Sequence, residues 1–121
     1  MGLEVKNLDR PDERREFPKG YGDLVHVGGH TVGRGQLEPG WRWSNDIRPI
    51  AGTTSCEMTH TGLVTGGTLH VEMNDGATQD LTAGDVYVIP PGHDAWVAGD
   101  EPFRSIDWSD RLDEFGKPPT K

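Results

Sequence analysis

Apolar and polar residues alternate in short runs along most of the chain, and Gly, Pro, Asn and Asp separate these runs. Such alternation is typical of β-strands with one buried face, whereas a sustained 3.6-residue period would favour helices. The pattern predicts an all-β domain with one short helical turn at residues 110–115. The predicted strands are 24–27, 31–37, 41–44, 55–64, 68–73, 78–81, 86–89, 95–98 and 103–108.

The Asp75-Gly76 pair predicts a hairpin between residues 68–73 and 78–81. A two-residue primed turn needs positive φ at both central positions, and Asp-Gly is a preferred pair for it. In the first strand Leu69, Val71 and Met73 share one face, so His70 is expected on the solvent side.

Length and composition predict one β-rich domain. The chain has 121 residues with 17 Gly and 9 Pro, and 32% of its residues are hydrophobic. That length suits one hydrophobic core, and the Gly and Pro content favours turns over long helices. We expect an extended N-terminal arm at residues 1–20, a β-sandwich or barrel at residues 21–109 and a tail at residues 110–121.

The charge balance argues against polyanionic partners. The formal net charge is −8, which repels nucleic acid and acidic membranes. The sequence contains no apolar run long enough for a signal peptide or a membrane span. Its single cysteine, Cys56, has no partner for an internal disulfide. We therefore predict a cytoplasmic protein that binds neither nucleic acid nor membranes.

A rigid corner precedes a histidine and a carboxylate. Pro90-Pro91-Gly92 follows the apolar run at residues 86–89, and neither proline can donate to a β-ladder. His93 and Asp94 come directly after this corner. We expect the corner, more than strand alternation, to set the direction of His93.

The segment HTGLVTGGTLHVEMNDGATQDLTAGDVYVIPPGHDAW resembles the core of a small single-domain cupin, and the resemblance extends over residues 24–108. Gly84, Pro90 and Gly92 match the spacing of the second cupin motif, with Ala95 at its usual metal-binding position. In the first motif, with Gly67 as the closing glycine, His60 falls on the glutamate position, while Thr54 and Cys56 fall on the two histidine positions. The resemblance implies a double-stranded β-helix, or jelly-roll, barrel with the extended N-terminal arm outside it.

A rearranged metal site is one consequence of this resemblance. Alternation puts Cys56, Met58 and His60 on one face, and the cupin barrel implies that this face points inward. With His93, Cys56 and His60 would hold one divalent transition metal, Zn, Fe, Ni, Mn or Cu, or the site holds none. His60 and His93 are the predicted catalytic residues, as ligands or as general acid and base. Structural roles remain open for all three: a buried apolar cysteine, a hydrogen-bonded core histidine and a histidine that caps the corner.

Aromatic residues provide candidates for a ligand wall. Trp41 and Trp43 share one face of a predicted strand, and Trp96 follows the corner. Tryptophan at the mouth of a barrel suits a flat or apolar small molecule. Trp43, Met58 and Trp96 are the predicted ligand-binding residues.

Two classes of function follow. The first is a metal-dependent or histidine-based enzyme acting on a small molecule, of the dioxygenase, isomerase or lyase type that the cupin resemblance implies. The second is a non-catalytic small-molecule binding or sensing module that has lost the metal centre, which the replacement of ligand residues by Thr54, Cys56 and Ala95 favours. A metal-free histidine and carboxylate pair, His93 and Asp94, is a third possibility by fold analogy. Because barrel edges invite pairing, we also predict a homodimer.

Overall fold

The computed structural model describes residues 2–110, 112 and 115 and confirms the all-β prediction. Its strands are β1 (Glu13–Phe17), β2 (Gly20–Val27), β3 (His30–Leu37), β4 (His60–Gly66), β5 (Thr68–Met73), β6 (Thr78–Thr82), β7 (Val86–Ile89), β8 (His93–Ala98) and β9 (Phe103–Asp107). Two helices of one turn each, α1 (Trp43–Asp46) and α2 (Arg48–Ala51), connect β3 to the segment before β4. No helix in the described ranges is long and apolar enough to cross a bilayer.

Two antiparallel sheets enclose the core. The larger has the strand order β1-β2-β3-β9-β4-β7, and the smaller has the order β6-β5-β8. Because side chains alternate across a strand, each sheet contributes one buried face, and residues such as Val64, Leu69 and Phe103 meet between them. Part of the predicted arm, β1, is an edge strand that pairs with β2 of the same chain.

The hairpin between β5 and β6 forms as predicted, but its turn differs from the prediction. Among the described loop residues only Gly76 has positive φ, at 93°, and Asp75 does not. Gly76 N donates to Met73 O at 2.9 Å, and Met73 N donates to Ala77 O at 2.8 Å. The loop is therefore one residue longer than a two-residue primed turn, and glycine supplies its single left-handed position.

One predicted strand is wrong, and another begins later than predicted. Residues 41–44 do not form a strand, because the chain turns into α1 at Trp43. Asp46 Oδ2 accepts a hydrogen bond from Arg42 N at 2.9 Å at the start of this turn. The predicted strand at residues 55–64 begins only at His60, and Cys56 forms an isolated bridge instead. Half of the predicted helical turn at residues 110–115 lies outside the described residues.

Candidate metal centre and cavity

His93 lies in the interior at the start of β8, directly after the corner. Gly92 has φ of 89°, a left-handed conformation that suits glycine, and β8 begins at the next residue. His93 is 3% exposed and points to the same side of β8 as Ala95 and Val97, which are also buried. Strand alternation therefore sets its direction, contrary to the expectation that the corner would.

A backbone carbonyl fixes the orientation of the His93 ring. Nδ1 of His93 lies 2.7 Å from Pro90 O. A carbonyl oxygen only accepts, so Nδ1 carries the proton and Nε2 keeps its lone pair in the neutral imidazole. The Pro90-Pro91-Gly92 corner thus provides the carbonyl that prepares Nε2 as a ligand atom.

Cys56 lies beside His93 because the two backbones pair. Cys56 N donates to His93 O at 2.8 Å, and Gly92 N donates to Cys56 O at 2.7 Å. Cys56 is a free cysteine and is 3% exposed. Because Cys56 pairs with the backbone of Gly92 and His93, its side chain lies in the interior beside that of His93.

His60, the first residue of β4, completes the cluster. Its Nε2 lies 3.3 Å from Sγ of Cys56, and its ring centroid lies 5.2 Å from that of His93. On the other side of the ring, Nδ1 of His60 lies 3.8 Å from Oδ2 of Asp107. One ring nitrogen of His60 thus faces the cysteine and the other faces a carboxylate.

These three residues have the donor set of a transition-metal site. One ligand atom each from Cys56, His60 and His93 lies within 4.8 Å of the others. Ligand atoms at about 2.0 to 2.3 Å from a tetrahedral zinc ion lie roughly 3.3 to 3.6 Å from one another. The 3.3 Å between His60 Nε2 and Cys56 Sγ matches this spacing, and the bound of 4.8 Å leaves at most about 1.5 Å for the His93 side chain to close. Thiolate and imidazole suit zinc, and they also accept iron, nickel and copper. The residues present fit one divalent ion, with Asp107 and Pro90 O supporting the two imidazoles.

The protonation states of Cys56 and His60 are linked. Burial by itself raises the pKa of the Cys56 thiol, but the neighbouring His60 and His93 imidazoles outweigh burial and lower this pKa to about 6. Burial by itself lowers the pKa of the His60 imidazole, but the nearby Asp107 carboxylate and the contact with Cys56 Sγ outweigh burial and raise this pKa to about 9. Without a metal, the pair is therefore a thiolate and an imidazolium near neutral pH.

Both histidines line a cavity of about 110 Å³ that is partly open to solvent. Most of its wall is apolar, with residues from both sheets and from the α1 segment. Cys56 does not line this cavity, whereas His60 and His93 do. A ligand in the cavity would therefore meet the imidazoles and not the thiol. The apolar lining residues include Phe17, Leu69, Trp41, Trp43, Phe103 and Phe115.

The three predicted ligand-binding residues lie in different places. Trp43 is 2% exposed and lines the cavity. Met58 is buried in the core but does not line the cavity. Trp96 lies on the other face of β8, where Arg42 lies 4.3 Å above its ring and His70 lies 4.5 Å from it between ring centroids. His70 also bonds Asp80 and takes no part in the cavity, as expected.

Asp94 does not form a site with His93. It lies on the opposite face of β8, where its Oδ2 accepts from Arg42 Nε at 3.1 Å and its Oδ1 accepts from Ser44 N at 3.1 Å. Asp94 therefore anchors the start of α1, and the hypothesis of a His93–Asp94 acid–base pair is wrong for this geometry.

Sequence reasoning missed the carboxylate that does face a site histidine. Asp107 shares the inward face of β9 with Phe103 and Ser105, so the alternation of that strand carried the signal. Ser109 holds Asp107 in place: its N donates to Oδ1 at 2.8 Å, and its hydroxyl donates to the same oxygen. Phe115, whose ring centroid lies 5.6 Å from that of His60, was also missed because the predicted tail gave it no partner.

Comparisons with known proteins show the fold. No protein-family model matches the chain, and no curated protein matches it. KdgF from Halomonas sp. is 20% identical with a TM-score of 0.61, over 95% of this chain and 100% of that one. A cupin-like protein from Thermotoga maritima is 20% identical with a TM-score of 0.57, over 89% of this chain and 84% of that one. A Klebsiella pneumoniae protein with a double-stranded β-helix domain is 22% identical with a TM-score of 0.55, over 85% of each chain. The chain has the cupin fold.

Proposed function

We propose that this cupin-fold protein is a metal-dependent enzyme acting on a small molecule, with one divalent transition metal held by Cys56, His60 and His93. The observation that carries the proposal is the meeting of these three donor atoms within 4.8 Å of one another. Metal sites commonly hold each histidine through its second ring nitrogen, and both histidines here have such a partner, Asp107 or Pro90 O.

The arrangement favours a metal ligand over a catalytic nucleophile for Cys56. A nucleophile must reach the substrate, but Cys56 is buried and does not line the cavity. The two histidines do line it, so an ion bound between all three residues would sit at the cavity wall. Such an ion supplies Lewis-acid polarisation of a substrate oxygen.

His60 and Tyr87 determine which protons the site holds. His60 must lose the proton that it shares with Cys56 before Nε2 can bind a metal, so loading releases a proton. Tyr87 also lines the cavity, and burial together with the Asp107 charge raises its pKa above the ordinary value. Tyr87 therefore keeps its hydroxyl proton and can donate a hydrogen bond to a bound substrate.

Cobalt substitution tests the proposed ligand set. Metal-free protein titrated with Co²⁺ should show a stoichiometric end point, the intense visible bands of tetrahedral cobalt and a thiolate-to-cobalt charge-transfer band. Cys56→Ser should lose the charge-transfer band, whereas Thr54→Ser, a control on an exposed residue of the same segment, should keep it. Weak, octahedral-type bands that persist unchanged in Cys56→Ser would contradict the proposal.

A further inference from the structure

Five large hydrophobic side chains of the described residues are exposed, and they form two groups. Leu3 and Val5, at the start of the N-terminal arm, are 95% and 78% exposed. Val86 and Val88 of β7 and Trp108 after β9 are the other three. Exposed hydrophobic residues scattered singly need no explanation, but a contiguous apolar surface commonly marks an interaction site. We therefore ask whether the two groups fit each other.

The second group belongs to an apolar patch on the outer face of the larger sheet. The patch consists of two neighbouring cross-strand rows that run from β7 across β4 to β9, and none of its six side chains is charged. Alternation puts these side chains on the solvent side, opposite to the buried Tyr87, Val64 and Ser105. This outer patch comprises Val86, Leu63 and Ile106 in one row and Val88, Thr61 and Trp108 in the next.

The outer patch ends at an edge strand. β7 is the last strand of the larger sheet, and no described strand pairs with its far side. An edge strand has unpaired backbone N–H and C=O groups, which another extended segment can pair with. Proline, glycine and charged residues discourage such pairing, and β7 (Val86–Ile89) contains none of them. The site therefore suits an extended segment with an apolar residue at every second position.

The N-terminal arm has this pattern, but its own chain directs it elsewhere. Leu3 and Val5 alternate with charged residues. Leu8 O accepts a hydrogen bond from Arg34 Nη2 of β3 at 3.1 Å, and the Glu4 carboxylate lies beside the turn between β2 and β3. Both strands lie on the other side of β9 from β4 and β7. The arm thus leads away from the outer patch of its own chain, which leaves that patch to a second copy.

The exposed area is sufficient for a dimer. The five exposed side chains present on the order of 400 Å² of apolar surface in each copy. Because about 60% of an interface is apolar, burial of this surface in two copies corresponds to roughly 1,300 Å², which is within the range of stable interfaces.

From these features we infer that two copies of this chain form a two-fold dimer by exchanging their arms. Residues 2–6 of each copy pair with the β7 edge of the other, and Leu3 and Val5 lie on the outer patch of that copy. Such a reciprocal contact closes on itself, so assembly stops at two copies. This inference does not depend on the proposed metal centre.

Salt dependence distinguishes this contact from an electrostatic one. Each copy has a net charge of −8, so two copies repel each other, whereas the outer patch itself is uncharged. Sedimentation velocity of the full-length protein should therefore show a dimer that is tighter at about 0.5 M NaCl than at about 0.05 M, because salt screens the repulsion. A monomer at both salt concentrations, up to hundreds of micromolar protein, would overturn the inference. So would a dimer that salt weakens.

Lysine substitutions test both surfaces. Val88→Lys alters the outer patch, and the double variant Leu3→Lys with Val5→Lys alters the arm. Each should weaken the dimer at least about tenfold, because a lysine in the contact must be desolvated. Thr78→Lys is the matched control: it adds the same charge at an exposed, β-branched position on β6, the edge strand of the smaller sheet.

Two results with these variants would overturn the inference. The first is a Val88→Lys dimer as tight as that of Thr78→Lys. The second is a dimer that Val88→Lys weakens but the arm variant does not, since the outer patch would then contact another surface, such as the patch of the second copy. Because all these positions are exposed, the variants should keep the melting temperature of the wild-type monomer.

Mixing the two variants tests the exchange itself. In a mixed pair, the unaltered arm of the Val88→Lys chain meets the unaltered patch of the arm variant, so one of the two contacts is intact. Neither variant alone has an intact contact. With one chain fluorescently labelled, the mixed dimer should form at least about tenfold more tightly than either variant's own dimer. A mixed dimer no tighter than the two variant dimers would overturn the exchange.

Discussion

Nε2 of His60 lies 3.3 Å from Sγ of Cys56. The two residues are four positions apart, and only His60 belongs to a strand. Pairing of Cys56 with His93 brings the thiol into the barrel, and the Asp107 carboxylate faces the far side of the His60 ring. This relationship links the cysteine, two histidines and one carboxylate into a single ionisable cluster.

The thiol should ionise at an unusually low pH in the metal-free protein. The Cys56 pKa is lowered to about 6, so ultraviolet thiolate absorbance should appear with a midpoint near that pH. Because the folded pKa lies below the unfolded one, this group stabilises the fold at high pH, and its contribution is lost as the pH falls through about 6. His60 has the opposite sign: its contribution is lost as the pH rises through about 9.

Replacing His60 separates the effect of its hydrogen bond on the Cys56 pKa from the effect of burial. His60→Ala removes a hydrogen-bond donor and leaves the thiol buried, so the thiolate midpoint should move upward. His70→Ala, a histidine outside the cavity, should leave the midpoint unchanged. A wild-type midpoint at the ordinary thiol value would show that His60 does not stabilise the thiolate.

Asp107 should act on metal affinity through His60. Loss of a carboxylate behind a ligating histidine lowers metal affinity by about 10- to 100-fold, and we expect Asp107→Asn to fall in this range by competition with a chromophoric chelator. The matched control is Asp80→Asn, because Asp80 forms the surface pair with His70 at 2.6 Å. Equal metal affinity in wild type and Asp107→Asn would exclude this role.

Replacing Asp94 should lower the stability of the fold and leave the metal centre intact. Asp94→Ala removes the acceptor for Arg42 Nε and Ser44 N, at a cost of about 1 to 3 kcal/mol in the free energy of unfolding. Denaturant unfolding measures this loss, with Asp100→Ala, at an exposed position, as the control. If metal affinity fell by as much as in Asp107→Asn while stability held, Asp94 would belong to the site after all.

The alternation of apolar and polar residues was sufficient to predict most strands, because those segments bury one face against the opposite sheet. The strands at residues 68–73 and 86–89 have the predicted bounds. The segment at residues 41–44 has the same alternating pattern but forms a helical turn, because Asp46 and Asp94 capture its backbone N–H groups. These partners come from outside the segment, so its local pattern could not reveal them.

Part of the candidate site could be predicted from the sequence, because inward-facing positions of a strand follow its alternation. Cys56 and His60 were predicted from inward parity and the cupin resemblance, and His93 was predicted from its place after the corner; the structure brings their ligand atoms together. The pairing of Asp107 with His60 depends on the register of β9 beside β4, which one sequence does not contain. The homodimer and the cytoplasmic location stay predictions.

Metal content by elemental mass spectrometry, on protein purified without a metal-affinity tag, tests the central claim most directly. We expect near-stoichiometric divalent transition metal in wild type and in His70→Ala. We expect loss of that metal in His60→Ala and His93→Ala. Wild-type protein that takes up no zinc, iron, nickel, manganese or copper after reconstitution would contradict the metal centre and leave a small-molecule binding module.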